Sequence, residues 1–317
     1  MSQNDRYQMS ACFVILMSGS RLPLSACELD RKVNHMACEL RFPSSNLEAD
    51  PLGIPYGPEY VPVVRAGVDS SYTTDHLFTS RKNGRTCDCL GMGERGMAWL
   101  LEISPFVLAY RCQYPLLLRD GREMLDEFVC GIRSRPPELR RRDLMSLDIV
   151  VTSMSKHDRL AYTVLSHKTK QDLGKPKVKR RLARERIEAD IAGYRHIVFS
   201  RSRLLDECGK SARQISLWGG KLDFNSASTV SRDIAEIFYR EYNYRPLDTF
   251  MRKVAKRLEI SIDQAYQYFS AAVNLGFIYV DLSYPVRTEY PVCLIQPNEA
   301  VPPWISYCGK VSCSSAV

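Results

Sequence analysis

The chain has 317 residues, 45% of them hydrophobic and 25% charged, with a formal net charge of +8. That length suits two domains of ordinary size and that composition a globular protein, while the lack of any run of eighteen apolar residues excludes the usual membrane-spanning helix. The 11 cysteines are an odd number, and with no export signal in view they predict a reduced, cytoplasmic setting. Residues 1–35 show no clear period, and the apolar run Ala11–Met17 lacks the basic leader and cleavage site of a signal peptide. The reading improves after Met36, a candidate for the true start. Residues 41–70, rich in Pro and Gly, predict an extended arm or loop.

The next elements alternate. Glu94–Leu101 has helical character and is broken at Ile103-Ser104-Pro105. Val107–Arg111 and Tyr114–Leu118 are two short strand candidates, and Pro136 and Pro137 make Arg133–Arg142 a loop. Leu147–Thr152 (LDIVVT) and Ala161–Lys168 (AYTVLSHK) predict strands, residues 177–192 a helix, and Tyr194–Ser200 (YRHIVFS) a further strand. This order predicts an α/β domain with a central sheet over residues 66–203, preceded by an N-terminal extension, residues 1–65.

After residue 203 the period becomes helical. Val230, Ile234, Ile237 and Phe238 mark one amphipathic helix; Leu247, Phe250, Val254 and Leu258 a second; Ile262, Tyr266, Phe269 and Val273 a third. Ser261 and Gln264 have capping-box spacing, and Gly276 suits the position after the last turn. A strand, FIYVDL, follows. Three short helices and a strand predict a winged-helix-like domain with a C-terminal tail over residues 204–317.

Several patterns bear on chemistry. Cys87 and Cys89 form a CxC pair, but no second pair follows at zinc spacing. Gly91, Gly93 and Gly96 spell GxGxxG, yet the preceding RKNGRTCDCL is no apolar strand; the glycines are better read as permitting a tight start to the helix. Basic residues cluster at Arg133, Arg135 and Arg140–Arg142, and again at Lys175, Lys177, Lys179, Arg180, Arg181, Arg184 and Arg186, where they would attract phosphates. Glu94 opens the first helix, Asp148 sits inside an apolar strand, and Lys168 ends the next strand. An acid within an apolar strand calls for a partner, and a divalent cation suits Glu94 and Asp148 through hard oxygen ligands. A lysine beside it could steady a charged phosphoryl transition state.

These segments, from about residue 65 to residue 286, resemble in order the TnsA endonucleases of heteromeric cut-and-paste transposons. SRKNGR (80–85) resembles the family's basic lead-in and brings Arg85 toward DNA. GERGMAWLLEISPFVLAYRCQYPL resembles its acid-bearing helix and following strand, with Glu94 on the catalytic glutamate. SLDIVV resembles the aspartate strand, with Asp148 in place. LSHKTKQDLGKPKVKRRLARER resembles the lysine strand and basic helix, with Lys168 as the catalytic lysine. ISIDQAYQYFSAAVNLGFIYVDLSYPV resembles the C-terminal helix and wing.

The resemblance implies a restriction-endonuclease-like domain holding Mg²⁺ or Mn²⁺ and hydrolysing the 5′ strands at transposon ends. It also implies double-stranded DNA, a DDE-type transposase and an ATP-dependent transposition regulator as partners, and no membrane. One departure stands out: where the family often carries Gln two residues before the lysine, this chain has Ser166, a possible fourth site position. A register shifted by two would put Lys170 in the lysine role. The alternatives from the residues alone are a non-catalytic winged-helix regulator, or a restriction or repair nuclease of the same fold.

Overall fold

Of the chain, the computed structural model describes residues 47–66, 76–117, 144–154 and 159–307. His76–Ser80 (β1) pairs antiparallel with Arg85–Cys89 (β2). Periodicity did not reveal this hairpin, because β2 is the polar-looking RTCDC, whose inward residues include two cysteines. Its signal was the Asn83-Gly84 turn, in which Gly84 takes φ +60°. Helix Met92–Ile103 (α1) follows and stops at Ser104, ahead of Pro105.

A mixed sheet forms the centre. Val107–Leu117 (β3), Leu144–Met154 (β4), Leu160–His167 (β5) and Arg195–Phe199 (β6) lie in that order. The first two pairings are antiparallel and β5–β6 is parallel. The parallel pair needs a crossover, supplied by Pro176–Ile191 (α2), which starts on the proline. The two strand candidates before residue 118 are therefore one strand. What divides them in the sequence pattern is Gln113, at φ 55°. The register continues across it, Cys112 facing Ile149 and Tyr114 facing Leu147, so Gln113 stands opposite Asp148. The predicted loop Arg133–Arg142 lies outside the described residues.

Residues 47–66 have little regular structure beyond the 3-10 turn Gly57–Glu59, yet they are packed into the protein. Ile54 and Tyr60 join Tyr114, Leu147, Val150 and Val164 in one buried core. Beside it, the Arg111 guanidinium is buried, 2.8 Å from the Asp50 carboxylate, bonded to the Ile54 carbonyl at 3.1 Å and stacked against Tyr56 and Tyr114.

The second half is helical. Ser202 caps Arg203–Trp218 (α3) by accepting from the Leu205 N–H. Ser228–Glu241 (α4), Leu247–Leu258 (α5) and Ile262–Asn274 (α6) follow, close to the three predicted amphipathic segments. They close around Phe238, Phe250 and Phe269. The capping box at Ser261 and Gln264 is formed, and Gly276 takes φ +78° just after the last turn. The predicted strand FIYVDL is reduced to Tyr279–Val280 (β7), paired with Leu294–Ile295 (β8), before a final turn of helix, Pro303–Ser306 (α7).

The protein is thus of mixed α/β class, and among the described residues no helix is long and apolar enough to cross a membrane. All described residues belong to one compact unit, Glu39–Val317, in which α3 packs along α1. The approach is close: a Cβ on Gly209 would lie 2.9 Å from the Gly96 Cα.

The Asp50–Arg111 pair yields a stability prediction. Asp50→Ala leaves a buried guanidinium without its carboxylate, and is expected to cost about 3–5 kcal/mol. The measure is the urea midpoint at unchanged slope. A loss below about 1 kcal/mol would mean that the Ile54 carbonyl and the Tyr56 and Tyr114 rings suffice to hold Arg111.

Candidate active site

Glu94 lies in the first turn of α1, whose N-cap Gly91 offers no side chain to the free N–H groups there. The Glu94 carboxylate folds back instead, Oε2 accepting from the Leu90 N–H at 3.0 Å. The same oxygen accepts from Gln113 Nε2 at 3.1 Å, while Gln113 Oε1 accepts from the Ser146 hydroxyl at 2.8 Å. The left-handed backbone at Gln113 aims this amide at Glu94.

Asp148 projects from β4. Its Oδ2 accepts from the His167 N–H at 2.6 Å and from Lys168 Nζ at 3.0 Å. Lys168 stands one residue past β5, where its backbone N–H still bonds to Phe199, and its ammonium also donates to the His167 carbonyl at 2.7 Å. Glu94, Asp148 and Lys168 therefore converge from α1, β4 and the end of β5. Lys170 is exposed, and it is Lys168 that meets the aspartate.

Burial first, and the Asp148 charge second, push the Glu94 carboxyl up to about 8; the Leu90 N–H, Lys168 and Gln113 offset only part of this. Glu94 Oε1 and Asp148 Oδ1 accept no hydrogen bond from the described residues. The His167 ring closes one side of the site. Burial holds its pKa below the usual imidazole value, and its Nε2 is buried without a partner. A Cβ on Gly93 would overlap this ring. In the GxGxxG pattern Gly93 thus reflects packing, since it admits His167, while the approach of α3 rests on Gly209.

Ser166 is committed to a buried contact. Its hydroxyl donates to Glu185 Oε2 at 2.7 Å and lies 3.0 Å from His196 Nε2. Burial by itself would raise the Glu185 carboxyl; bonds from His196 and Ser166, the Lys168 charge and the bond from Arg181 outweigh it and hold the group down at about 2. Gln113, Glu185 and His196 had escaped the sequence reading. Gln113 lay between two strand candidates, and Glu185 lay in a charged run indistinguishable from a solvated helix face.

The basic residues divide into two groups. Lys177, Lys179, Arg180 and Arg184 are exposed on α2, and none makes an ion pair among the described residues. Lys175 pairs with Asp172, and Arg181 with Glu185. Arg85 is partly buried, pairing with Asp88 at 3.5 Å and lying over the Tyr60 ring. Arg133, Arg135 and Arg140–Arg142 lie outside the described residues.

Among the described residues no group of three or more His, Cys, Asp or Glu side chains is placed to hold a metal ion. What the site does contain is two neighbouring carboxylates facing one ammonium, each carboxylate with an unclaimed oxygen. That donor set fits a hard divalent cation completed by water or by an incoming anionic oxygen. No protein-family model matches the chain, and a search of curated proteins finds no similar one.

The raised Glu94 pKa has a sign that can be measured. Between the ordinary value of 4.5 and about 8, the folded protein keeps a proton that the unfolded chain has released. The stability this confers is complete below 4.5 and is lost as pH rises through about 8. Glu94→Gln is therefore expected to melt higher than the wild type above pH 8 without divalent cation, by about 2–4 °C per kcal/mol relieved. The advantage should shrink toward pH 4.5. An advantage that does not change with pH would remove the ionisation of buried Glu94 as its source.

Proposed function

We propose that the chain is a metal-dependent DNA endonuclease of restriction-endonuclease-like fold, acting as the 5′-strand-cutting subunit of a heteromeric transposase. The observation that carries this reading is the convergence of Glu94, Asp148 and Lys168. These are the three residue types, in the order and segments, on which the resemblance to the TnsA endonucleases rests. Glu94 and Asp148 would hold Mg²⁺ or Mn²⁺, which supplies Lewis-acid polarisation of a phosphodiester and a more acidic water.

The remaining roles belong to the chain's own groups. Lys168, fixed by Asp148 and the His167 carbonyl, presents its ammonium to charge developing on a phosphoryl group. Gln113 holds the Glu94 carboxylate in place. Ser166, occupied by Glu185 and His196, supports the strand end beneath Lys168 and leaves coordination to the two carboxylates. Lys177, Lys179, Arg180 and Arg184 supply an unpaired basic face for the phosphates of duplex DNA. Helices α4–α6 with the short β7–β8 ladder would serve as the winged-helix-like element, meeting DNA, the DDE-type transposase or the ATP-dependent regulator.

The test is a strand-resolved cleavage assay with the reconstituted partners and Mg²⁺. Asp148→Ala and Lys168→Ala are each expected to abolish 5′-strand cutting while complex assembly and 3′-strand cutting persist, so that fused products replace simple insertions. Normal 5′ cutting by Asp148→Ala would sink this assignment.

A second measurement addresses the basic face. Lys179→Glu with Arg180→Glu should weaken duplex binding and reduce the slope of log K against log salt by about one unit per lost contact. An unchanged slope would assign α2 to solvent or to a protein partner.

A further inference from the structure

A cleft opens beside α1, between β1 and α3. Its volume is about 520 Å³, within the range of small-molecule sites. Arg81, Arg95 and Arg213 all line it, and among the described residues no carboxylate does. Among the described residues none of the three guanidiniums makes an ion pair, and Glu102 acts on Arg81 only through space. Arg213 is exposed and has no partner among the described residues. Arg95 meets the His76 ring at 3.2 Å, a neutral acceptor in that contact. Arg81 donates to the Gly220 carbonyl and lies over the Phe224 ring, 4.8 Å away.

The floor of the cleft is aromatic. Phe78 and Trp99 are both half-buried, their ring centroids 4.4 Å apart. Three guanidiniums around one space repel one another unless an anion enters. Arginine forks match phosphate oxygens, and a partly exposed indole offers a stacking face to a flat ring. Glu102, whose charge acts on Arg81, is already engaged: it accepts from the Ser80 and Tyr110 hydroxyls and the Arg81 backbone N–H.

We propose that this cleft binds a nucleotide, its base against Trp99 and Phe78 and its phosphate held by Arg95 and Arg213. The arrangement has no counterpart in the Glu94 site: among the described residues it has no carboxylate, and it would bind without divalent cation. A free nucleotide and a nucleotide of a single DNA strand share this chemistry, and the two can be separated by experiment.

The full-length protein in EDTA is titrated with dAMP, with a short oligothymidylate, and with an abasic oligomer of equal charge, following tryptophan fluorescence. Quenching by dAMP and the oligothymidylate assigns the site to free nucleotides. Quenching by the oligothymidylate alone assigns it to a DNA strand. Either supports the proposal, provided that Trp99→Phe, which keeps a ring in the floor, removes the signal. Arg213→Ala, at an exposed position that leaves the fold intact, should weaken the interaction about tenfold. Three results would overturn the proposal: no quenching by either nucleotide ligand, equal quenching by the abasic oligomer, or a signal unchanged in Trp99→Phe or Arg213→Ala.

Discussion

Two carboxylates set against one ammonium, all three largely shielded from water, cannot both ionise cheaply, and the elements around Glu94, Asp148 and Lys168 bear on that constraint. Like charges this close repel strongly where the dielectric is low. Asp148 is relieved by a backbone N–H and by Lys168. Glu94 has weaker help, and keeps its proton up to about pH 8. Part of the help comes from Gln113, whose φ of 55° is a costly conformation for a residue with a side chain. The strand keeps its register across that residue. The strain is thus confined to one position and serves to turn one amide toward Glu94.

Holding Glu94 against this repulsion requires that α1 be fixed at both ends. At its start, Gly93 lets the His167 ring pack against the helix. At its end, Glu102 accepts from Ser80, Tyr110 and the Arg81 backbone. Beyond it, the buried Lys82 ammonium donates to the Ser104 and Val107 carbonyls. Burial pushes that ammonium down to about 7, against the opposing pull of Glu102. Along its length, Gly209 lets α3 approach to backbone contact at Gly96. The helices after residue 203 are therefore part of the mounting of Glu94, and a break in sequence period there marks a change of local structure within one packed unit.

The legible parts of the sequence were those with a strong local signal. Long apolar strands such as LDIVVT, the amphipathic helices after Val230, and the Ser261–Gln264 cap are each written into a few consecutive residues. Asp148 is conspicuous as an acid inside an apolar strand, whereas Glu94 suits the first turn of any helix and Lys168 any surface, so that these two gain weight only from the order of segments in the resemblance. The illegible parts depend on distant partners. Gln113 reads as a gap between strands, because a left-handed residue inside a continuous ladder has no sequence signature of its own. Residues 47–66 read as an arm, since Pro and Gly deny them regular structure; only the sheet supplies a pocket for Ile54 and Tyr60 and a guanidinium for Asp50. The β1–β2 hairpin was hidden because cysteine carries its inward face.

The same distinction applies to the basic helix, where sequence gave all the arginines and lysines equal standing. Arg181 donates to Glu185 at 2.8 Å and to the Ser146 carbonyl at 3.1 Å. Glu185 is buried and charged, and leads through Ser166 to the strand end that carries Lys168. Ser146 leads through its hydroxyl to Gln113 and so to Glu94. Turning Arg181 outward to meet a phosphate would take from a buried carboxylate one of the partners that hold it charged, a cost that Coulombic contact with DNA in water does not readily recover. Lys177, Lys179, Arg180 and Arg184 carry no such obligation. On the proposed function, these four are the residues free to follow a phosphate backbone. Arg181 instead belongs to the frame, tying the face that would meet DNA to the two ends of the site that would cut it.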